Sequence, residues 1–307
     1  MRTVVDASDV ALASRSRNWL VRVFAEAGGR PRRGWRVAAY LIVLIGTTGV
    51  LSSLMRGSLV MNVAGHAGVV AFALAATYAF RRLVDRRAWH QIGVSTWRWR
   101  HAVLGLAVGT GSMLVVFAVA GSLGWARVAG SELSDRGPGA MAVLLSAGLF
   151  MYATSAFVQE LAFRGYVLQT LADGWPMRRA ALVSSLIFAI LHFAEPPTSV
   201  WFVVVLLADI MLMAGFLVLT RLSTGALWLA IGFHTTWNWV MDCVLSMDTD
   251  AGTDYGNALI HVQLDAPEFG LGHGGGVELL YLLNSAALFA GYWLLQRRRG
   301  MRTWEGR

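Results

Sequence analysis

Eight apolar runs, each close to the length that crosses a lipid bilayer, constrain this 307-residue chain more than any other feature. They lie at 37–55, 59–80, 102–124, 139–158, 181–194 with its flanks, 200–220, 225–247 and 277–295. A helix needs about 17 to 25 predominantly apolar residues to span the hydrocarbon. No water is available there, so every backbone N–H and C=O has to be satisfied within the segment. The expected fold is therefore all-α: a polytopic integral membrane helix bundle of about eight transmembrane helices. The 181–194 run is short, and the fourth run can continue as helix to about residue 172. Only 14% of the residues are charged, against roughly 25% in a soluble domain.

Arginine placement orients the bundle, because the chain has no lysine and all 26 cationic side chains are Arg. With a cytoplasmic N-terminus, 22 of them fall in the N-terminal arm, the inner loops and the C-terminal tail, and only Arg56, Arg127 and Arg136 fall outside. The remaining one, Arg164, is inside the membrane. The positive-inside rule then puts both termini in the cytoplasm, and the acidic 248–276 loop (Asp248, Asp250, Asp254, Asp265, Glu268) on the opposite side. The net charge of +8 is accounted for by topology, so nucleic acid is not an expected partner. One cysteine, Cys243, excludes an internal disulfide or a cysteine-rich metal site. The first apolar run starts behind a long Arg-rich segment, unlike a cleaved signal peptide.

Residues 1–35 read as a cytoplasmic Arg-rich arm in which Trp19, Leu20, Val23 and Phe24 have the spacing of an interfacial helix. Residues 36–296 read as one membrane bundle, and 297–307 as an Arg-rich tail. The 81–101 loop, with Trp89, Trp97 and Trp99 among arginines, is explained by aromatic anchoring at the interface. "DTDAGTDYG" superficially resembles a calcium loop, but Gly252 and Leu259 occupy ligand positions, and a solvated acidic loop is expected.

Ionisable residues within spans cost at least ~2.5 to 3.5 kcal/mol each and are functional candidates by default. In the later spans they are Glu160, Arg164, His192, Asp209 and His234, with Gln159 and Asn238 as polar companions. At 1.5 Å per residue, Glu160 and His192 lie ~18 Å and His234 ~14 Å from the same end of their helices, so the three share a depth. Glu160 and Arg164 are four apart on one helix face, as are His234 and Asn238 on another, and Phe188 precedes His192 by four. Three helices can thus aim a carboxylate, two imidazoles and a carboxamide into one cavity. A carboxylate and an imidazole can deprotonate a water while an imidazole and an amide stabilise an oxyanion. Alternatively, Glu160, His192 and His234 are three ligands of an open divalent-metal site such as zinc. No H-E-x-x-H helix is present. Asp209 is read either as an accessory cavity acid or as a partner of Arg164, and His66 as a packed, hydrogen-bonded histidine.

The ordered segments "QELAFRG", "FAILH" and "HTTWN", with "TRLSTGALWLAIGFH" before the last, resemble the CPBP family of CAAX-protease and bacteriocin-processing intramembrane endopeptidases. The family's pattern is E-E-x-x-x-R, F-x-x-x-H and H-x-x-x-N, and the resemblance covers roughly 140–245. It implies a multi-helix bundle with a cavity toward the cytosol, hydrolysis of a membrane-associated peptide or lipid-modified protein, and site residues Gln159, Glu160, Arg164, His192, His234 and Asn238. In that reading His192 helps hold the water, His234 and Asn238 bind the oxyanion, and Arg164 braces its helix. The family carries the metalloprotease name, although a glutamate-and-water mechanism without metal fits the same residues.

This chain departs from the pattern at Gln159, which stands where the family has its general base. A carboxamide can hydrogen-bond a water but cannot take its proton. Glu160 could serve instead, a metal could activate the water, or the bundle could act without catalysis as a scaffold or bacteriocin-immunity factor. A proton-coupled transporter would also use buried Glu, His and Asp, but paired broken segments in two matching halves are missing. The lysine-free, Ala-, Gly- and Arg-rich composition points to a bacterial cytoplasmic membrane and to a peptide rather than a prenylated substrate.

Overall fold

The computed structural model of the chain describes residues 24–26, 29–54, 58–193, 199–247, 258–271 and 275–300. Helix α1 is Arg33–Leu54, α2 Leu59–Ala79 with a π turn through Val84, and α3 Trp99–Ser122. Helix α4, Glu132–Glu160, runs on through a π-helical segment, Leu161–Val167, into α5, Leu168–Ala172. Then come α6 (Met177–Ile190), α7 (Val200–Thr224), α8 (Trp228–Trp239, with a π turn through Val244) and α9 (Gly275–Arg298). The only sheet among the described residues is one antiparallel pair, β1 (Ala126–Gly130) with β2 (His261–Leu264).

Among the described residues six helical stretches are long and apolar enough to cross a membrane: Arg33–Leu51, Leu59–Val84, Trp99–Ser122, Glu132–Ala172, Val200–Thr224 and Gly275–Arg298. The fold is an all-α membrane bundle, but the count of eight spanning helices is not reached. The runs at 181–194 and 225–247 form α6, of 14 residues, and α8, of 12. Their apolarity has another cause: α8 is enclosed, buried from Leu229 through Trp237. Interior helices are hydrophobic all round whether or not they span.

Helices α3 and α8 cross in close contact inside the bundle. A Cβ at Gly105 would stand 2.3 Å from the Leu229 carbonyl oxygen, and one at Gly232 2.3 Å from that of Ala102. A Cβ at Gly109 would be 2.5 Å from the Phe233 carbonyl. Small residues four apart let two backbones touch, which replaces hydrophobic driving force in lipid. This contact fixes the position of α8 and so of His234.

Connections segregate to two ends. At the Arg-rich end, Leu227 N–H donates to the Gly93 carbonyl (3.0 Å), the Trp228 indole to the Thr96 carbonyl (2.8 Å) and Arg221 to the Gln91 carbonyl (2.6 Å). The opposite end holds the β1–β2 pair, and there Ser58, Ser131 and Ser199 cap the starts of α2, α4 and α7.

The 81–101 loop does more than anchor. Trp97 and Trp99 are exposed, as an interfacial belt requires, but Asp85 is wholly buried. Its carboxylate accepts from Arg36 (2.6 Å), Arg81 (3.0 Å), Thr170 (2.9 Å) and the Tyr166 hydroxyl (3.3 Å). Arg36 and Arg81, counted in the sequence as topology signals, are therefore also structural, and four donors offset the cost of burying the carboxylate. His66 hydrogen-bonds Thr154 (2.9 Å), as a packed histidine should. The interfacial spacing at Trp19, Leu20 and Val23, the "DTDAGTDYG" loop and residues 301–307 lie outside the described residues.

Candidate active site

Glu160 ends α4 and Arg164 sits in the π-helical segment that follows, every residue of which is buried. Single π turns inside α-helices occur frequently at functional sites. Here Arg164 Nη1 donates to Glu160 Oε1 at 3.1 Å, so the helix supplies its own counterion to a carboxylate with no solvent exposure. The same Oε1 accepts from His234 Nδ1 at 2.9 Å. Arg164 also stands over Phe188, with its guanidinium carbon 4.2 Å from the ring centroid.

The Phe188 ring joins the three helices. The His192 ring centroid is 4.3 Å from it and that of His234 6.2 Å. His192 lies two residues past the end of α6, where its Nδ1 donates to the Phe188 carbonyl at 2.7 Å. A carbonyl and a carboxylate accept, so in its neutral form each histidine carries its proton on Nδ1 and leaves an Nε2 lone pair as its basic atom. Both imidazoles line a cavity of about 220 Å³ together with Asn238 and Asp209, and Phe188, Phe233 and Trp237 are among its apolar walls.

The six residues implied by the motifs are thus divided by depth. His192, His234 and Asn238 line the cavity, while Glu160 and Arg164 lie behind the His234 ring. Gln159 does not line it either, and its amide donates to Ser155 on the preceding turn at 3.1 Å. Asp209 lines the cavity from α7, and Arg164 is matched by Glu160 rather than by Asp209. One carboxylate oxygen of Asp209 and the second oxygen of Glu160 are buried without a hydrogen-bond partner.

Asp242 is a further cavity residue, to which Tyr152 donates a hydrogen bond from α4. Its position in the sequence is informative in retrospect, since His234, Asn238 and Asp242 are four apart and share one helix face. Phe188, noted for its spacing alone, is the packing centre of the cluster.

The residues expected to hold a metal do not fit one in this arrangement. Glu160 Oε1 accepts from His234 Nδ1, so this carboxylate oxygen and this ring nitrogen are directed at each other and not at a common ion. Among the described residues no group of three His, Cys, Asp or Glu side chains is placed to hold a metal.

Fold and site together define a polytopic helical membrane protein in which a buried carboxylate–guanidinium pair backs a histidine that lines a cavity. Residues 141–240, about a third of the chain, match the family model described as type II CAAX prenyl endopeptidase Rce1-like, and this stretch is similar to that family. The matched stretch runs from within α4 to the end of α8 and includes all six motif residues. A comparison with the curated proteins finds no match. The match supports a function of the CAAX-protease type at the level of that family.

Proposed function

We propose that the protein is an intramembrane endopeptidase that hydrolyses a peptide bond in a membrane-associated peptide or lipid-modified protein, with His234 as the general base and Glu160 as its buried partner. The observation that carries this reading is the 2.9 Å contact between Glu160 and Nδ1 of His234, a residue that also lines a cavity shared with His192. A water held by the two Nε2 atoms attacks the scissile carbonyl carbon, and its proton goes to His234 Nε2. The Glu160 carboxylate stabilises the imidazolium so formed. The Asn238 amide donates to the oxyanion, and the proton on His234 then passes to the leaving nitrogen as the C–N bond breaks, giving an acid and an amine. Positioned proton transfer of this kind contributes about 10²- to 10⁴-fold, and a preorganised oxyanion donor contributes on a similar scale.

This assignment differs from the roles implied by the motifs, in which a glutamate at the Gln159 position is the base. A carboxamide bound to Ser155 off the cavity wall is not needed when the histidine takes the proton. The step is written without a metal, in keeping with the lack of three His, Cys, Asp or Glu side chains placed to hold one among the described residues. The Arg asymmetry supports placing the protein in a bacterial cytoplasmic membrane with both termini in the cytoplasm.

The test is reconstitution in proteoliposomes with a panel of membrane peptides. Wild type should cleave, and His234→Ala and His192→Ala should lose cleavage. The rival, a non-catalytic scaffold or immunity factor, is favoured by Gln159 standing where the family has its base. It gains support if wild type is inactive while Gln159→Glu cleaves, or if no form cleaves and a membrane partner is still bound.

A further inference from the structure

At the Arg-rich end, away from the histidine cavity, the start of α1 and the turn after α5 enclose an open groove of about 710 Å³. Glu26, Arg32, Arg33, Trp35 and Trp175 are among its walls. Glu26 is its one acidic wall residue among the described residues, and three guanidiniums already share that carboxylate: Arg33 at 3.2 Å, Arg36 at 3.5 Å and Arg30 at 3.9 Å. Behind it, Arg36 and Arg81 also serve Asp85, and Arg81 and Arg87 serve Asp173. Six arginines, with Arg32, thus face three carboxylates. Arg32 is exposed and has no carboxylate within ion-pair distance among the described residues.

The guanidinium of Arg33 is held in place. It bonds Glu26 on one side and lies so close over Gly174 that a Cβ there would be 2.1 Å from Nη2, while its Nε is buried without a hydrogen-bond partner. Trp175 is fixed by Arg179, whose guanidinium carbon is 4.3 Å above its ring. Two tryptophans flanking two arginines at the end of a membrane helix match the layering of a bilayer surface, where aromatic rings sit at headgroup depth and Arg meets phosphate. The preceding arm does not complement this charge, since residues 1–23 carry four Arg against two Asp.

We propose that this groove binds the phosphate of an anionic phospholipid headgroup, received by Arg32 and Arg33 with Trp35 and Trp175 against the glycerol and upper acyl chain. Basic pockets between transmembrane helices take such headgroups, and the planar Arg fork matches phosphate oxygens two at a time. The site would tie the start of α1 to the turn that follows α5, which continues the helix bearing Glu160 and Arg164.

The experiment reconstitutes the full chain in phosphatidylcholine nanodiscs containing a minor fraction of phosphatidylglycerol, and measures retained lipid by native mass spectrometry. Wild type should retain phosphatidylglycerol in preference to phosphatidylcholine. Arg32→Gln with Arg33→Gln should lower that retention roughly 10- to 30-fold, and Arg32→Gln alone, which removes no ion pair, should lower it several-fold. Arg98→Gln with Arg100→Gln should leave it unchanged. Equal retention by Arg32→Gln and wild type, or no preference in wild type, overturns the proposal. Displacement of the lipid by millimolar inorganic phosphate overturns the lipid as ligand and identifies a free anion.

Discussion

Replacing Asp85 with alanine should destabilise the bundle by about 3 kcal/mol, because breaking a buried ion pair from one side leaves an uncompensated charge and costs roughly 3 to 5 kcal/mol. The lower end applies here for a structural reason. Arg81 keeps Asp173 at 3.2 Å and Gln91 at 2.7 Å, and Arg36 keeps Glu26 at 3.5 Å. The Tyr166 and Thr170 hydroxyls, however, lose their acceptor on the segment that continues from Glu160 and Arg164. On the scaling for large domains, a loss of that size lowers Tm by about 6 to 12 °C. Thermal unfolding in detergent, followed by tryptophan fluorescence, measures the shift. Adding Arg36→Leu to Asp85→Ala should recover part of the loss, since a buried pair replaced by apolar groups is often neutral. An alanine variant within about 2 °C of wild type would refute the reasoning, as would a double variant less stable than Asp85→Ala by the full cost of a second pair.

Three further outcomes follow. Gln159→Glu should change the cleavage rate by less than about 10-fold, because the side chain at 159 is turned to Ser155 rather than to the cavity; a large gain would restore the glutamate base of the family pattern. Chelator treatment of the reconstituted enzyme should leave the rate unchanged, with metal analysis by mass spectrometry on the same sample. Gly109→Leu should destabilise by about 1 to 3 kcal/mol or more, because the side chain has no space between α3 and α8, and the same unfolding assay reads it.

The sequence made the membrane class and the helix order legible because hydrocarbon imposes so few solutions on the backbone. Six of the apolar runs are long apolar helices, and the continuation of the fourth to residue 172 is found as a run of α4, a π segment and α5. The other two runs form the shorter helices α6 and α8, and the apolarity of α8 is matched by its burial within the protein. Depth counting brought Glu160, His192 and His234 together, and three helices do converge on Phe188. Spacing could not show that Glu160 stands behind His234 rather than beside it, since that depends on how far α8 approaches α4. Asp85 was hidden for a related reason. Flanked by Arg82, Arg86 and Arg87, it reads as part of a solvated charged loop, and only the packing of α1, α2 and α5 around it reveals the burial.

The most direct test of the site is a double-mutant cycle on cleavage of a membrane peptide, using Glu160→Gln, His234→Ala and both together, each first checked for unaltered unfolding. If Glu160 acts through His234, the His234→Ala variant should lose about 10²- to 10⁴-fold, and adding Glu160→Gln should cost almost nothing more. Losses that multiply would contradict the account, because they would show Glu160 acting on the water or substrate independently of the histidine.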